Sequence, residues 1–391
     1  MENIIFASFF IFIVHFLLND GWQHHPDSYD YIQGLDSVRY GDEWFDSSVA
    51  LRPGAIYFSL PLSLFLNGEN SLGLHNFIFF ILLGPLMYTF TRKIFIDKEL
   101  AYYSSLFLVG SFPVLYWGLA IMNDLGSWFF FLLSCFVIIE FFNLKPKPTY
   151  FLYSGLISGI GILYKTNVIA CCFFFALALF FNQTIKDNYS KVKYLLIFGI
   201  SSLIPLLINQ IYIWNMWQID YYNYFILPLF SDGNNLDYQS FENTPVSFKF
   251  TQTYRILTFF IAFPLIPLSV IGFSQIWKEQ KSLESEEKNI FRQSSFQNIF
   301  LILISALLVI IGWGSDFPRF VGAGSPRYAF QIFPAIIPLI IVGINFIMNW
   351  FEHYGPRKET SWKIFLVVYI SINVFVSVFA TEIRGFLGFW T

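Results

Sequence analysis

Residues 122–142 read MNDLGSWFFFLLSCFVIIEFF. Asn123 and Asp124 are followed at once by Leu125–Phe142, eighteen residues whose only charge is Glu140. A bilayer-spanning helix needs roughly 17–25 mostly apolar residues, so this run predicts one crossing. Working outward, ten further runs have the same character. They are Ile4–Leu18, Leu74–Phe95, Ala101–Ala120, Tyr150–Leu163, Val168–Phe181, Tyr194–Trp214, Ile256–Ile276, Ile299–Trp313, Ala329–Trp350 and Trp362–Ala380. The shorter ones need polar flanking residues to complete a crossing, and His75 and Asn76 blur the start of the second. Pro53–Leu66 is apolar but short and interrupted by Pro61, which predicts a re-entrant or interfacial segment. The expected fold is all-α: a polytopic membrane protein with about eleven transmembrane helices in one domain over residues 1–391.

Composition agrees. Of 391 residues, 56% are hydrophobic and 13% charged, and the mean hydropathy is +0.57. A soluble domain carries about 45–50% apolar and about 25% charged residues, so a soluble enzyme and a disordered chain are both excluded. A net charge of −3 without a basic cluster argues against a nucleic-acid partner. Phe 51, Tyr 22 and Trp 11 suit lipid-facing and interfacial positions. Cys135, Cys171 and Cys172 lie in apolar runs without metal spacing and read as small buried hydrophobes. The first span has no Lys or Arg before it and no small-residue cleavage site after it, so it is expected to be an uncleaved anchor. There is no internal repeat, no GxGxxG and no GxxxxGK[ST], and no soluble domain is expected after the last span.

If the N-terminus is cytoplasmic, the loops alternate so that fifteen Lys and Arg fall inside and eight outside. That split satisfies the positive-inside rule and puts the C-terminus outside. Inside connections are short apart from Lys278–Arg292, whose KEQKSLESEEK run reads as a solvated linker. The long loops, 19–73, 215–254 and 314–328, are all outside. Loops on a rigid scaffold carry most chemistry, so the outer face is where a site is expected.

The first outer loop holds GWQHHPDSYDYIQGLDSVRYGDEWFDSS. Tyr31, Leu35 and Val38 form one helical stripe, which predicts a surface-lying helix over Ser28–Arg39 with Asp27 at its start and Asp30 one turn on. Two readings of Asp27 coexist. It is an N-cap, with Asp30 as a capping-box-like partner, or a carboxylate placed as general base at the mouth of a membrane cavity. His24 and His25 precede it, but adjacent rings do not easily aim at one ion, so loop histidines are the simpler reading. Asp124 is the only acid in a very short outer turn. It is either an interfacial cap or a charge kept at the bilayer edge for use.

Few cations lie on the outer side. Arg52 precedes Pro53, Lys165 sits in the turn Tyr164-Lys165-Thr166-Asn167, and Arg327-Tyr328 opens the tenth span. A phosphate needs cations or helix N-termini nearby, and Arg327 has that placement; snorkelling to head groups is the alternative for all three. Tyr221, Tyr222 and Tyr224 suit an interfacial belt or stacking on sugar rings.

The ordered pattern resembles the GT-C superfamily of integral-membrane glycosyltransferases, including protein mannosyltransferases and lipid A aminoarabinose transferases. HHPDSYDYIQG is similar to that family's first-loop acidic motif, and Arg52-Pro53-Gly54-Ala55-Ile56-Tyr57 to the RPPLY-like stretch after it. Asn123-Asp124 stands where the family often has an acid in its second outer loop. GLISGIGILYKTN, residues 155–167, resembles the GLxxGLAxLTKxT segment, and Ser325-Pro326-Arg327-Tyr328, with Pro334 and Pro338, resembles the RYxLPxxP motif of a late helix. The first motif is Asp27-Ser28 with no second acid, which suits a base better than a metal site. No WWDYG-like signature is present, against an oligosaccharyltransferase of the large type.

The resemblance implies inverting transfer of a sugar from a polyprenyl-phosphate carrier to a glycan, lipid or protein acceptor on the non-cytoplasmic face. Asp27 is then the base, Asp124 orients the acceptor or assists, and Arg327, with Lys165 or Arg52, meets the leaving phosphate. Asp30 and Tyr328 are expected to contribute to substrate binding. No cofactor is required; a divalent metal is compatible with the scheme, but no ligand set calls for one. The compact form is expected of a bacterial inner-membrane protein. The alternatives are a polysaccharide polymerase or O-antigen ligase, for which Asn215–Tyr254 offers only Lys249 before Arg255, and a transporter. A transporter predicts mid-span ionisable groups and inverted repeats, whereas Glu140 and His15 lie near span ends.

Overall fold

The computed structural model describes residues 1–25, 27–42, 47–143, 147–182, 185, 187–221, 265–283, 290–315, 332–351 and 358–379. All regular structure among the described residues is helical. Helix α1 is Glu2–Leu18, α2 Ser28–Tyr40, α3 Ser47–Ala50, α4 Gly54–Ser63 and α5 Gly68–Phe95. They are followed by α6 Lys98–Val109, α7 Asp124–Asn143, α8 Pro148–Tyr164, α9 Ala170–Phe181 and α10 Asn188–Trp217. The last four are α11 Ile266–Leu283, α12 Ile290–Ser315, α13 Phe333–Phe351 and α14 Lys358–Val378.

Each of the eleven apolar runs meets a helix in its described part. Among the described residues, five helices are long and apolar enough to cross a bilayer: Gly68–Phe95, Asp124–Phe142, Asn188–Trp217, Phe333–Trp350 and Glu359–Val378. Three shorter apolar helices, Glu2–Leu18, Thr166–Phe181 and Phe296–Val309, accompany them. Among the candidate spans α7 is one of the most enclosed, while α10 and α14 turn most of their surface outward. A helix that is apolar all round belongs inside a bundle or against lipid, and both cases occur here.

Contacts between the ends of the long helices collect in two groups. At one end Lys93 of α5 pairs with Glu140 of α7 at 2.6 Å. Phe141 stacks on Tyr150, Tyr103 stacks on Trp362 at 4.2 Å, and Lys191 Nζ donates to the Phe180 carbonyl at that same end. At the other end the Ile121 amide donates to the Gln23 carbonyl at 3.0 Å. Trp22 Nε1 donates to Asn70 Oδ1 at 2.8 Å, and Trp217 Nε1 to the Asp42 carbonyl at 2.9 Å. This second end carries the described part of the first loop, 19–73, in which a site is expected.

Two local features differ from the sequence reading. The helix over Leu74–Phe95 begins earlier, at Gly68, because the Asn67 side chain caps it by accepting from the Asn70 amide. His75 and Asn76 therefore lie inside the helix, both buried. The run Ala101–Ala120 is not one helix. α6 stops at Val109, a π turn occupies Val114–Gly118, and irregular backbone continues to Asn123. Irregular backbone at membrane depth must find partners within the protein. Here the Ile121 amide uses the Gln23 carbonyl, and the Ala120 carbonyl accepts from Asn76 Nδ2.

Candidate functional site

The first loop folds as its stripe predicts. α2 spans Ser28–Tyr40, with Tyr31 and Leu35 buried and Val38 packed against the core. Asp27 occupies the N-cap position, but its side chain makes no capping bond to α2. Its Oδ2 lies 3.6 Å from His25 Nδ1, and its own amide donates to that ring nitrogen at 3.3 Å. The carboxylate side chain is 44% exposed beside the half-buried His25 ring. Asp30, in the first turn of α2, is half-buried. His24 turns the other way, to Glu69 Oε1 at 3.1 Å. Among the described residues no three His, Cys, Asp or Glu side chains gather as a metal site would require.

Among the described residues, Asp124 and Lys165 form the most buried ion pair. Asp124 is 2% and Lys165 3% exposed, and Lys165 Nζ donates to Asp124 Oδ1. Their backbone settings favour the charges they carry. Asp124 is the first residue of α7, at the positive end of the helix dipole. Lys165 directly follows α8, at its negative end, with its amide bonded to the Gly161 carbonyl at 3.0 Å. A buried ion pair costs desolvation of both ions and is weak evidence for stability by itself. Its presence at the end of a membrane bundle is a pointer to use.

Around the pair lies a chain of polar contacts. Asn123 Nδ2 donates to the Tyr164 carbonyl. The Tyr164 hydroxyl meets His75 Nε2 at 2.8 Å, and His75 Nδ1 meets Asn76 Oδ1 at 2.9 Å. The Tyr164 ring is wedged between two glycines: a Cβ on Gly54 would lie 2.4 Å from it and one on Gly126 only 2.1 Å. Gly54 begins α4, two residues after Arg52, so the Arg52 segment is drawn to the same place.

Arg52 is half-buried beside Tyr221, whose phenol burial pushes up to about 12 while the Arg52 charge pulls the other way. Tyr221 donates to the Leu51 carbonyl at 2.8 Å, and Asn209 of α10 donates to the Tyr221 oxygen at 3.0 Å. Tyr57 closes this group, donating to Asn209 Oδ1 at 2.6 Å. The segments bearing Arg52, Asp124 and Lys165 thus converge at one end of the bundle, and Gln23, near Asp27, joins the segment before Asp124. Arg327 and Tyr328 lie outside the described residues, as do Tyr222, Tyr224, Lys249 and Arg255. Sequence reasoning missed His75, Asn76 and Asn209. The only signal for the first two was their polarity at the edge of an apolar run.

Comparison with known proteins places this arrangement. Residues 54–209 match the family model for dolichyl-phosphate-mannose-protein mannosyltransferase. The match includes Asp124 and Lys165 and excludes Asp27 and Arg327. The archaeal oligosaccharyltransferase AglB from Archaeoglobus fulgidus, in complex with an inhibitory peptide and a dolichol-phosphate, is similar in structure with a TM-score of 0.52. It is 11% identical, and the alignment covers 96% of this chain and 55% of that one. A crystal structure of the Archaeoglobus fulgidus oligosaccharyltransferase with Zn and sulfate gives a TM-score of 0.55 at 13% identity, covering 96% and 52%. The chain thus spans about half the length of these two proteins. No curated protein sequence matches it. These findings show similarity to the mannosyltransferase family over residues 54–209 and a fold shared with the archaeal oligosaccharyltransferases, in a chain whose described helices include five long and apolar enough to cross a membrane.

Proposed function

We propose that the protein moves a sugar from a polyprenyl-phosphate carrier to an acceptor hydroxyl on the non-cytoplasmic side. Asp27 takes the proton of the acceptor hydroxyl. The acceptor oxygen forms a bond to the anomeric carbon while the bond from that carbon to the phosphate oxygen breaks. Attack from the opposite face inverts the centre, and the lipid phosphate departs with the electron pair. Lys165, held by Asp124, and Arg52 supply positive charge near the phosphate, and Arg327 completes the set. Preorganised cations of this kind act most strongly where water is excluded. Asp30 and Tyr328 are assigned to substrate contact.

The observation that carries the reading is the buried Asp124–Lys165 pair at the loop-bearing end of a GT-C-like bundle. The matched family description and the dolichol-phosphate held by AglB support a lipid-phosphate donor. The exposed, uncapping carboxylate of Asp27 supports its role as base.

The test is donor turnover by purified protein in lipid, with polyprenyl-phosphate-mannose as the first donor. Surface glycans of a deletion strain, read by mass spectrometry, supply the acceptor. Asp27→Asn is expected to lose about 10²–10⁴-fold in rate, the usual contribution of a general base. Undiminished transfer by this variant removes the assignment. Substrate movement across the bilayer without covalent change replaces it with transport.

A further inference from the structure

We propose that His75 and Asn76 are positioning residues that set the geometry of the Asp124–Lys165 pair, by tying the backbone before Asp124 to the residue before Lys165. The inference rests on the preceding reading of that pair as part of the transfer site.

The directions of the hydrogen bonds are fixed by what each group is able to do. The Ala120 carbonyl only accepts, so the amide nitrogen of Asn76 points at it. Asn76 Oδ1 is then left facing His75 Nδ1, which must carry the proton. His75 Nε2 therefore offers a lone pair, and the Tyr164 hydroxyl donates to it at 2.8 Å. Asn123 Nδ2, donating to the Tyr164 carbonyl, completes a circuit on the other side of the pair. His75, Asn76 and Tyr164 are each no more than 2% exposed. Water cannot substitute for a lost member, and a buried network left half-satisfied costs more than an apolar one.

This circuit answers a local need. Asp124 follows irregular backbone that has no helical ladder to hold it. Lys165 stands in extended backbone between α8 and the 3₁₀ turn Thr166–Ile169. Neither charge is placed by its own helix alone. Adjacent side chains on α5 reach one segment each.

The experiment measures acetylation of Lys165 by a water-soluble N-hydroxysuccinimide ester, by peptide mass spectrometry, on the full chain in nanodiscs. Exposed Lys98 serves as internal reference. Asp124→Asn is the positive control for a released lysine. His75→Phe should raise the Lys165 rate about tenfold relative to Lys98 at a temperature where the variant remains folded, below its lowered melting midpoint. His75→Gln, which is able to accept from Tyr164 and donate to Asn76, should stay within twofold of wild type. Where His75→Phe does not fold, Asn76→Ala is read by the same criterion. Unchanged Lys165 reactivity in a folded variant, or equal release by Gln and Phe, overturns the proposal. Wild-type sugar transfer by Asp124→Asn instead overturns the parent reading and leaves the labelling result standing.

Discussion

Asp124 and Lys165 are 41 residues apart in sequence and share one hydrogen bond in a dry setting. Removing one partner from such a pair strands the other charge, at a cost of about 3–5 kcal/mol. Asp124→Leu and Lys165→Met are each expected to lower stability by that amount, read from the unfolding transition in detergent. The double variant should recover most of the loss, because apolar residues of similar size replace a buried ion pair with little penalty. Sugar transfer by the double variant should stay abolished. Recovery of both stability and transfer shows the pair to be structural. Both residues stand out in the sequence as rare charges on the outer side, but their pairing does not. The family resemblance implied Lys165 at a phosphate and Asp124 at the acceptor separately, since no local rule links a turn after α8 to the first residue of α7.

At the scale of elements, α4, α7 and the end of α8 meet on a single ring. Tyr164 fills the gap left by the absent side chains of Gly54 and Gly126. A methyl group at residue 126 would sit 2.1 Å from the ring, well inside contact distance. Overpacking of this kind typically costs about 1–3 kcal/mol. Gly126→Ala should therefore melt earlier and lose transfer, with the Tyr164–His75 bond broken as the ring moves. Gly199→Ala on α10, where a Cβ meets nothing within 4 Å, is the control and should be neutral in both measurements. A wild-type melting point for Gly126→Ala refutes the wedge. The element positions themselves were legible, because long apolar runs permit little else in a bilayer. The break after Val109 was not. Its residues are as apolar as a helix, and the groups that satisfy its freed backbone, Gln23 and Asn76, come from distant segments. The setting of Asp27 was half legible: its N-cap position followed from the pattern, while the carboxylate's place beside His25 depends on the folded loop.

For the whole molecule, the arrangement of helix ends makes a claim about sidedness. Asp27, Arg52, Asp124 and Lys165 belong to one group of ends; Lys93, Glu140, Lys191 and Trp362 belong to the other. A lipid-phosphate donor used on the non-cytoplasmic side requires the first group to face outward, and the charge bias of the loops supports that orientation. The native cysteines offer a quiet background, since Cys135 and Cys171 are buried and Cys172 is half-buried among apolar helices. Tyr40→Cys, at the exposed end of α2, is expected to react with a membrane-impermeant maleimide in intact cells. Lys98→Cys, at the opposite end, should react only after the membrane is opened. The reverse pattern would put the Asp124–Lys165 end in the cytosol, where nucleotide sugars are the available donors. In that case the lipid-linked donor loses its topological reason, while the fold and the ion pair remain as described.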